Sequence, residues 1–150
     1  MHRVVLFRDR SRPAQIVIGG VIPAIFGAIA GVLVGVSAGA YWGFGAVAAV
    51  GGVLAGLEHQ DGWGGADRGV VGGFIYGVAL LLAHAIAGTH AKVSLGSFPP
   101  LLAVVTAIGG MFLGAAGGRI ARALRERRTA VIEDPVPATE VVLEDQRAAG

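Results

Sequence analysis

Long uncharged segments separated by short polar ones dominate this chain of 150 residues. Residues 13–57 contain no aspartate, glutamate, lysine or arginine, and neither do residues 69–91. An apolar, uncharged run of about 18 or more residues is typical of a helix that crosses a bilayer. The pattern therefore predicts an all-α, multi-pass membrane protein.

Polar residues and turn signals divide the apolar region, residues 14–118, into four segments. Short connections join them, so the predicted fold is a four-helix transmembrane bundle of two glycine-rich antiparallel hairpins. Pro23 lies inside the first segment, where it either kinks the helix or marks the start of its full span. We expect transmembrane helices over residues 14–40, 43–57, 69–87 and 99–118.

Glycine recurs at every fourth position on several of these segments. Residues four apart share one face of a helix, so each series leaves a groove without side chains. In water each glycine would cost the helix about 1 kcal/mol relative to alanine. In lipid the helix forms anyway, and the groove lets another helix pack closely. We predict helix-packing roles for Gly27, Gly31, Gly35, Gly39, Gly52, Gly56, Gly69, Gly73, Gly77, Gly110, Gly114 and Gly118.

The two predicted hairpins share short stretches of similar sequence. Gly-Gly-Val-Ile at residues 19–22 is similar to Gly-Gly-Phe-Ile at 72–75, and residues 47–52 are similar to residues 105–110. These matches suggest an internal duplication, which would be a parallel repeat because each hairpin begins on the same side of the membrane. Glycine-rich composition alone is the alternative explanation of the same matches.

Composition agrees with the membrane assignment and excludes some chemistry. The chain is 54% hydrophobic and 15% charged, whereas soluble domains have about 25% charged residues. The sequence has no cysteine, which rules out a disulfide, a thiolate metal site and a cysteine nucleophile.

Arginine clusters at both ends of the apolar region predict the topology. The N-terminus, residues 1–13, carries four arginines against one aspartate, and residues 119–128 carry five against one glutamate. Basic flanks lie on the cytoplasmic side, so both termini are expected there, which agrees with an even number of spans. The excess of arginine over lysine and the richness in Ala, Gly and Val suggest a bacterial inner membrane.

The basic start followed by an apolar run also resembles a signal peptide, with a cleavage-like Ala-Gly-Ala at residues 38–40. The run is longer than the usual apolar region of such peptides, about 7–15 residues, so we interpret it as the first transmembrane helix. Residues 129–150 are acidic and contain two prolines, which predicts a disordered tail.

Residues that could carry chemistry are few. Glu58, His59 and Asp61 could bind a metal or pass protons at the mouth of the bundle, or form an ordinary hydrated turn. His84 lies inside the third predicted span, where an ionisable group suggests a functional site. Alternatively, its ring reaches the interface or bonds a neighbouring carbonyl.

The charge distribution and the sequence motifs also limit which partners and activities are expected. Residues 119–128 are expected to continue the fourth helix out of the bilayer as a basic juxtamembrane extension. Its arginines could bind anionic lipid, at about 1 kcal/mol each, or simply anchor the topology. We expect no nucleic acid partner and no cofactor. No Gly-rich phosphate loop follows a predicted strand, HExxH does not occur, and no serine sits in the strand-turn-helix context of a nucleophile elbow, so we do not expect an enzyme. The predicted lipid-contacting residues are Arg119, Arg122, Arg125, Arg127 and Arg128.

Three functional hypotheses follow. The preferred one is a packing module whose glycine faces assemble a homo-oligomer or an accessory subunit of a larger membrane complex. The alternative is a small channel or transporter with His84 or Glu58 in its pathway. A membrane metal-dependent enzyme would require Glu58, His59 and Asp61 to converge on one ion.

Overall fold

The computed structural model describes residues 11–59 and 61–133, which form helices without any strand. Each of the four helices contains a stretch long and apolar enough to cross a membrane. The predicted all-α, four-helix membrane fold is therefore confirmed. The helices are α1, Arg12–Val36, α2, Ala38–Leu57, α3, Gly62–Ala87, and α4, Leu101–Glu133.

A single residue, Ser37, separates α1 from α2. Its backbone is extended, and its hydroxyl accepts a hydrogen bond from the Ala40 N–H at 3.4 Å. A serine in this position caps the next helix, because its oxygen satisfies an otherwise free N–H. The turn between the first two helices therefore lies at Ser37 and not at residues 41–42, where the predicted spans placed it, and Tyr41 and Trp42 lie within α2.

The third helix is longer than the sequence pattern indicated because it begins at an acidic cap. The Asp61 carboxylate accepts a hydrogen bond from the Gly64 N–H at 2.8 Å, and α3 starts directly after it. The helix ends at Gly88, which adopts the left-handed conformation with φ 61°, as expected for a helix-stopping glycine.

The fourth helix continues beyond its predicted span, as expected for a basic juxtamembrane extension over residues 119–128, and runs a further five residues. It includes the basic stretch 119–128 and extends to Glu133. Most of the predicted acidic tail, residues 134–150, and the first ten residues of the basic N-terminus lie outside the described residues.

Helix neighbours differ from the order along the chain. The most extensive interface joins α3 to α4, followed by α1 with α3 and α2 with α4, whereas α1 and α2 share little contact. Around the bundle the order is therefore α1, α3, α4, α2. We call the end with the start of α1, the α2–α3 connection and the continuation of α4 the arginine-rich end. The opposite end holds Ser37 and residues 88–100.

Glycines bring α3 and α4 into backbone contact along an antiparallel seam. A Cβ atom added to Gly65 would overlap the carbonyl oxygen of Gly114, and one added to Gly69 would overlap that of Gly110. The relation is reciprocal, since Cβ atoms on Gly110 and Gly114 would overlap the carbonyls of Gly69 and Gly65. Such close approach places Cα–H groups beside carbonyl oxygens, a weak but favourable contact.

The outer helices pack on this pair through parallel contacts. Gly27 and Gly31 of α1 lie against the carbonyls of Tyr76 and Leu80 on α3. On the other side, Gly56 of α2 lies against the carbonyl of Gly114. Beside these contacts, Ala30, Val34 and Leu80 form the fully buried core.

Helix α2 is the exception to this use of glycine. Cβ atoms on Gly43, Gly45 and Gly51 would meet no neighbouring atom within 4 Å, and one on Gly39 would meet only the Ser37 hydroxyl. Gly56 is the single buried residue of this helix. The two hairpins are therefore packed unequally, and the internal duplication stays a prediction.

The seam between α3 and α4 predicts different effects for two glycine-to-alanine changes. Gly69→Ala should lower the free energy of unfolding by about 1–3 kcal/mol because the new methyl group displaces a packed backbone. Gly109→Ala, the matched control in open space on α4, should change it by less than about 0.5 kcal/mol. Reversible unfolding in mixed micelles measures both. Equal effects at the two positions would contradict the packing described.

Candidate functional site

The backbone of α1 is interrupted where Gly19 and Gly20 precede Pro23. Residues Val17–Val21 form a π-helical turn, in which the Ile22 N–H donates to the carbonyl of Val17 instead of that of Ile18. Pro23 has no N–H to donate to Gly19, its partner in a regular helix. Two successive carbonyls, of Ile18 and Gly19, thus lose their helical donors.

Arg68 of α3 supplies the missing donors. Its Nη1 donates to the Gly19 carbonyl oxygen at 3.1 Å, and its Nη2 donates to that of Ile18. A free carbonyl within a membrane span costs several kcal/mol, so this guanidinium compensates for a break that would otherwise be expensive. The break leaves α1 continuous from Arg12 to Val36, with Pro23 just after the π turn.

A glycine makes room for this arrangement. Gly72 lies one turn after Arg68 on α3, and a Cβ there would be 3.0 Å from Nη1 of Arg68 and 3.6 Å from Cγ of Pro23. A side chain at this position would therefore push the guanidinium away from α1.

An open cleft of about 630 Å³ lies around Arg68 at the arginine-rich end. It forms because α1 and α3 separate towards this end. A Cβ on Gly20 would have its nearest α3 neighbour, Ile75, at 4.0 Å, whereas one on Gly27 would overlap the α3 backbone. The lining residues are Gln15, Ile16, Gly19, Gly20, His59, Gly64, Asp67, Arg68, Val71 and Ile75.

This cleft surrounds the contact between Arg68 and α1, and known proteins do not identify it. No protein-family model matches the chain, and neither a curated protein nor a solved structure does. Its role must therefore be inferred from its geometry.

The three polar residues at and just after the end of α2, Glu58, His59 and Asp61, make separate interactions. The Asp61 carboxylate caps α3. The His59 ring lines the cleft, with Nδ1 3.3 Å from the Ala55 carbonyl. The Glu58 carboxylate attracts the Arg68 guanidinium electrostatically. Within residues 11–59 and 61–133, no three His, Cys, Asp or Glu side chains are grouped as metal ligands.

His84 lies far from these residues, close to the opposite end of α3. It is 22 residues beyond Gly62, which corresponds to about 33 Å along the helix. Its Nδ1 atom is buried and has no hydrogen-bond partner within the described structure. The structure therefore does not bring His84 together with Glu58, His59 and Asp61.

The arginines of α4 have partners within the chain as well as exposed positions. Nη2 of Arg125 donates to the His59 carbonyl at 2.9 Å, which ties α4 to the α2–α3 connection. Arg122 pairs with Glu126 at 2.7 Å. Arg127 and Arg128 are exposed, and lipid contact stays a prediction for the whole group.

Sequence reasoning placed Arg68 in a polar connection and missed its role in α1. Two signals could have found it: an arginine that falls inside a long apolar helix, and a Gly-Gly pair followed by proline in another. Connecting them required knowledge that α1 and α3 are neighbours.

The unpaired nitrogen of His84 leads to a prediction about stability. His84→Leu should raise the free energy of unfolding by about 1 kcal/mol because it removes a buried polar atom that has no partner. Unfolding of the reconstituted protein measures the change. His90→Leu, in the exposed loop, is the control and should stay within about 0.5 kcal/mol of wild type. A destabilised His84→Leu variant would show that Nδ1 has a favourable partner after all.

Proposed function

We propose that this protein is a membrane assembly module that forms a homo-oligomer through α2. The observation that carries the proposal is the contrast between Gly43, Gly45 and Gly51 of α2, which face open space, and the glycines of α1, α3 and α4, which lie mostly against a neighbouring backbone. Glycine in a membrane helix is useful where another helix approaches closely. A helix face that carries such glycines and has no neighbour within the chain supports a neighbour from another chain.

The free face of α2 has the shape that close packing needs. Gly39, Gly43, Val47 and Gly51 follow one another at intervals of four residues, so they lie on one face of α2. The side chains of Val47, Val50 and Leu54 are 59%, 60% and 56% exposed. Among the four spans, α2 has the smallest buried share.

A second copy of the chain is the partner that this face suits best. Its glycines form a groove, and the neighbouring Val47, Val50 and Leu54 form a ridge, so one surface supplies both complementary parts. Two identical surfaces of this kind can pack about a two-fold axis, which is the commonest symmetry of homo-oligomers.

We further propose that both termini lie in the cytoplasm and that the protein resides in the bacterial inner membrane. The described arginines of the basic flanks, which include Arg12, Arg119 and Arg125, gather at one end of the bundle, and this supports the orientation because positive charge is retained on the cytoplasmic side. Exposed Arg127 and Arg128 would then face anionic headgroups of the inner leaflet.

A small transporter is the second candidate, favoured by the cleft beside the interrupted helix α1. Broken helices and intramembrane ionisable groups often mark solute pathways. Glu58 lies near the Arg68 that lines the cleft, and His84 lies towards the far end. Solute uptake by vesicles carrying the purified protein, lost in both Glu58→Gln and His84→Ala variants, would support this function over assembly.

The assembly proposal predicts that bulky side chains on the free face of α2 dissociate the protein. Gly43→Leu and Gly51→Leu should each weaken self-association at least about tenfold, the equivalent of 1.4 kcal/mol, because leucine holds the backbones apart. Native mass measurement in lipid nanodiscs over a range of protein-to-lipid ratios gives the monomer fraction. Unfolding stability should stay near that of wild type, since Cβ atoms at these positions meet no neighbour.

The matched control is Gly109→Leu, an equally open glycine on α4, which should leave the oligomer intact. The lack of cysteine in the chain allows a second test, in which Val47→Cys alone should form a crosslinked dimer. A wild-type protein that stays monomeric at high protein-to-lipid ratio would refute the proposal, as would unchanged association of both leucine variants.

A further inference from the structure

The part of α1 before Pro23 is held differently from the rest of the helix. Residues 12–21, which we call the arm, contain no buried residue, and Ile16 is 66% exposed. By contrast, the remainder of α1, Ile22–Val36, buries Gly27, Ala30, Gly31 and Val34 against the bundle. The arm is therefore anchored weakly by apolar packing.

The junction between the arm and the rest of α1 is also weak. The π turn and Pro23 remove two successive helical hydrogen bonds, those to the carbonyls of Ile18 and Gly19. Such interruptions are where helices bend. The junction is thus the place in α1 where bending costs the fewest backbone bonds.

We propose that Arg68 is a latch that holds the arm against α3, and that its release lets the arm move and opens the cleft at the arginine-rich end. The latch consists of the two hydrogen bonds from the guanidinium to the Ile18 and Gly19 carbonyls. They satisfy the groups that the break left without donors, so one side chain both stabilises the bent backbone and fixes its position.

The surroundings of Arg68 also stabilise the state in which it is released from α1. The Glu58 carboxylate, at the end of α2, attracts the same guanidinium. The cleft of about 630 Å³ beside it has room for water, which can satisfy the two carbonyls once the guanidinium leaves. Arg68 is thus hydrogen-bonded to α1 and also attracted by the charge of Glu58 at the end of α2, so the loss of its bonds to α1 leaves it a second electrostatic partner.

The latch is independent of the proposed oligomer because it joins α1 to α3 and does not involve the open face of α2. An experiment on the full chain in lipid nanodiscs can therefore use the protein in either state of association, with labelled chains diluted by unlabelled ones.

Spin labels test the latch, since the chain has no cysteine of its own. One pair, Ser11→Cys with Trp63→Cys, spans the arm and the start of α3. A second pair, Val32→Cys with Leu82→Cys, spans α1 and α3 beyond the break. All four positions are exposed, so the labels do not enter the core. Electron–electron double resonance gives the distance distribution of each pair.

Arg68→Met removes the donors but keeps a long side chain. We expect the first distance to broaden and shift by about 5 Å, roughly one helical turn, while the second stays unchanged. Adding Pro23→Ala supplies an N–H for the Gly19 carbonyl and lets the Ile22 N–H return from Val17 to the Ile18 carbonyl in a regular α-helix, so the Pro23→Ala/Arg68→Met double variant should recover most of the narrow first distribution.

The same measurements can overturn the proposal. An unchanged first distance in Arg68→Met would mean that the arm is held by other contacts. Changes in both distances would mean that Arg68 supports the whole bundle and is no local latch. Failure of Pro23→Ala to restore the first distance would show that the freed carbonyls are not what Arg68 serves.

Discussion

The obligation to satisfy every backbone polar group without help from lipid determines much of this structure. Where the helices are regular, their carbonyls are already bonded, and glycine lets them lie against a neighbouring backbone. The contacts of Gly65 with Gly114 and of Gly69 with Gly110 show how closely two such helices approach. The pair α3–α4 is for this reason the centre of the bundle, and α1 and α2 are attached to its two sides.

The same obligation explains why a charged group of α3 reaches across to α1. Pro23 and the π turn free two carbonyls of α1, and the Arg68 guanidinium satisfies both. An ionisable residue inside a membrane helix usually suggests a substrate or proton pathway. Here the Arg68 guanidinium primarily satisfies two carbonyls of α1. Any role in movement follows from these bonds, because they also hold the first part of α1 in position.

The sequence predicted the elements better than their arrangement. Absence of charge identified four spans, and glycine spacing identified the faces without side chains. The neighbours of each helix could not be predicted, because α1, α2, α3 and α4 all offer small-residue faces and nothing local ranks the pairings. Ser37 and Asp61 are residue types that often begin helices, but the predicted spans followed the apolar pattern and did not use them. The contact between Arg68 and Gly19 joins residues 49 positions apart, so local patterns do not contain it.

The order of the helices also separates two properties of the protein. The open glycines belong to α2, which packs mainly on α4, whereas the weakly anchored arm belongs to α1, which packs on α3. Contact between α1 and α2 is limited, so a change on the free face of α2 has little direct contact through which to displace the arm. His59, at the end of α2, lines the cleft and is held through its carbonyl by Arg125 of α4. The α2–α3 connection is therefore one place where a change in α2 reaches the cleft beside the arm, and the bond from Arg125 links that place to α4 as well.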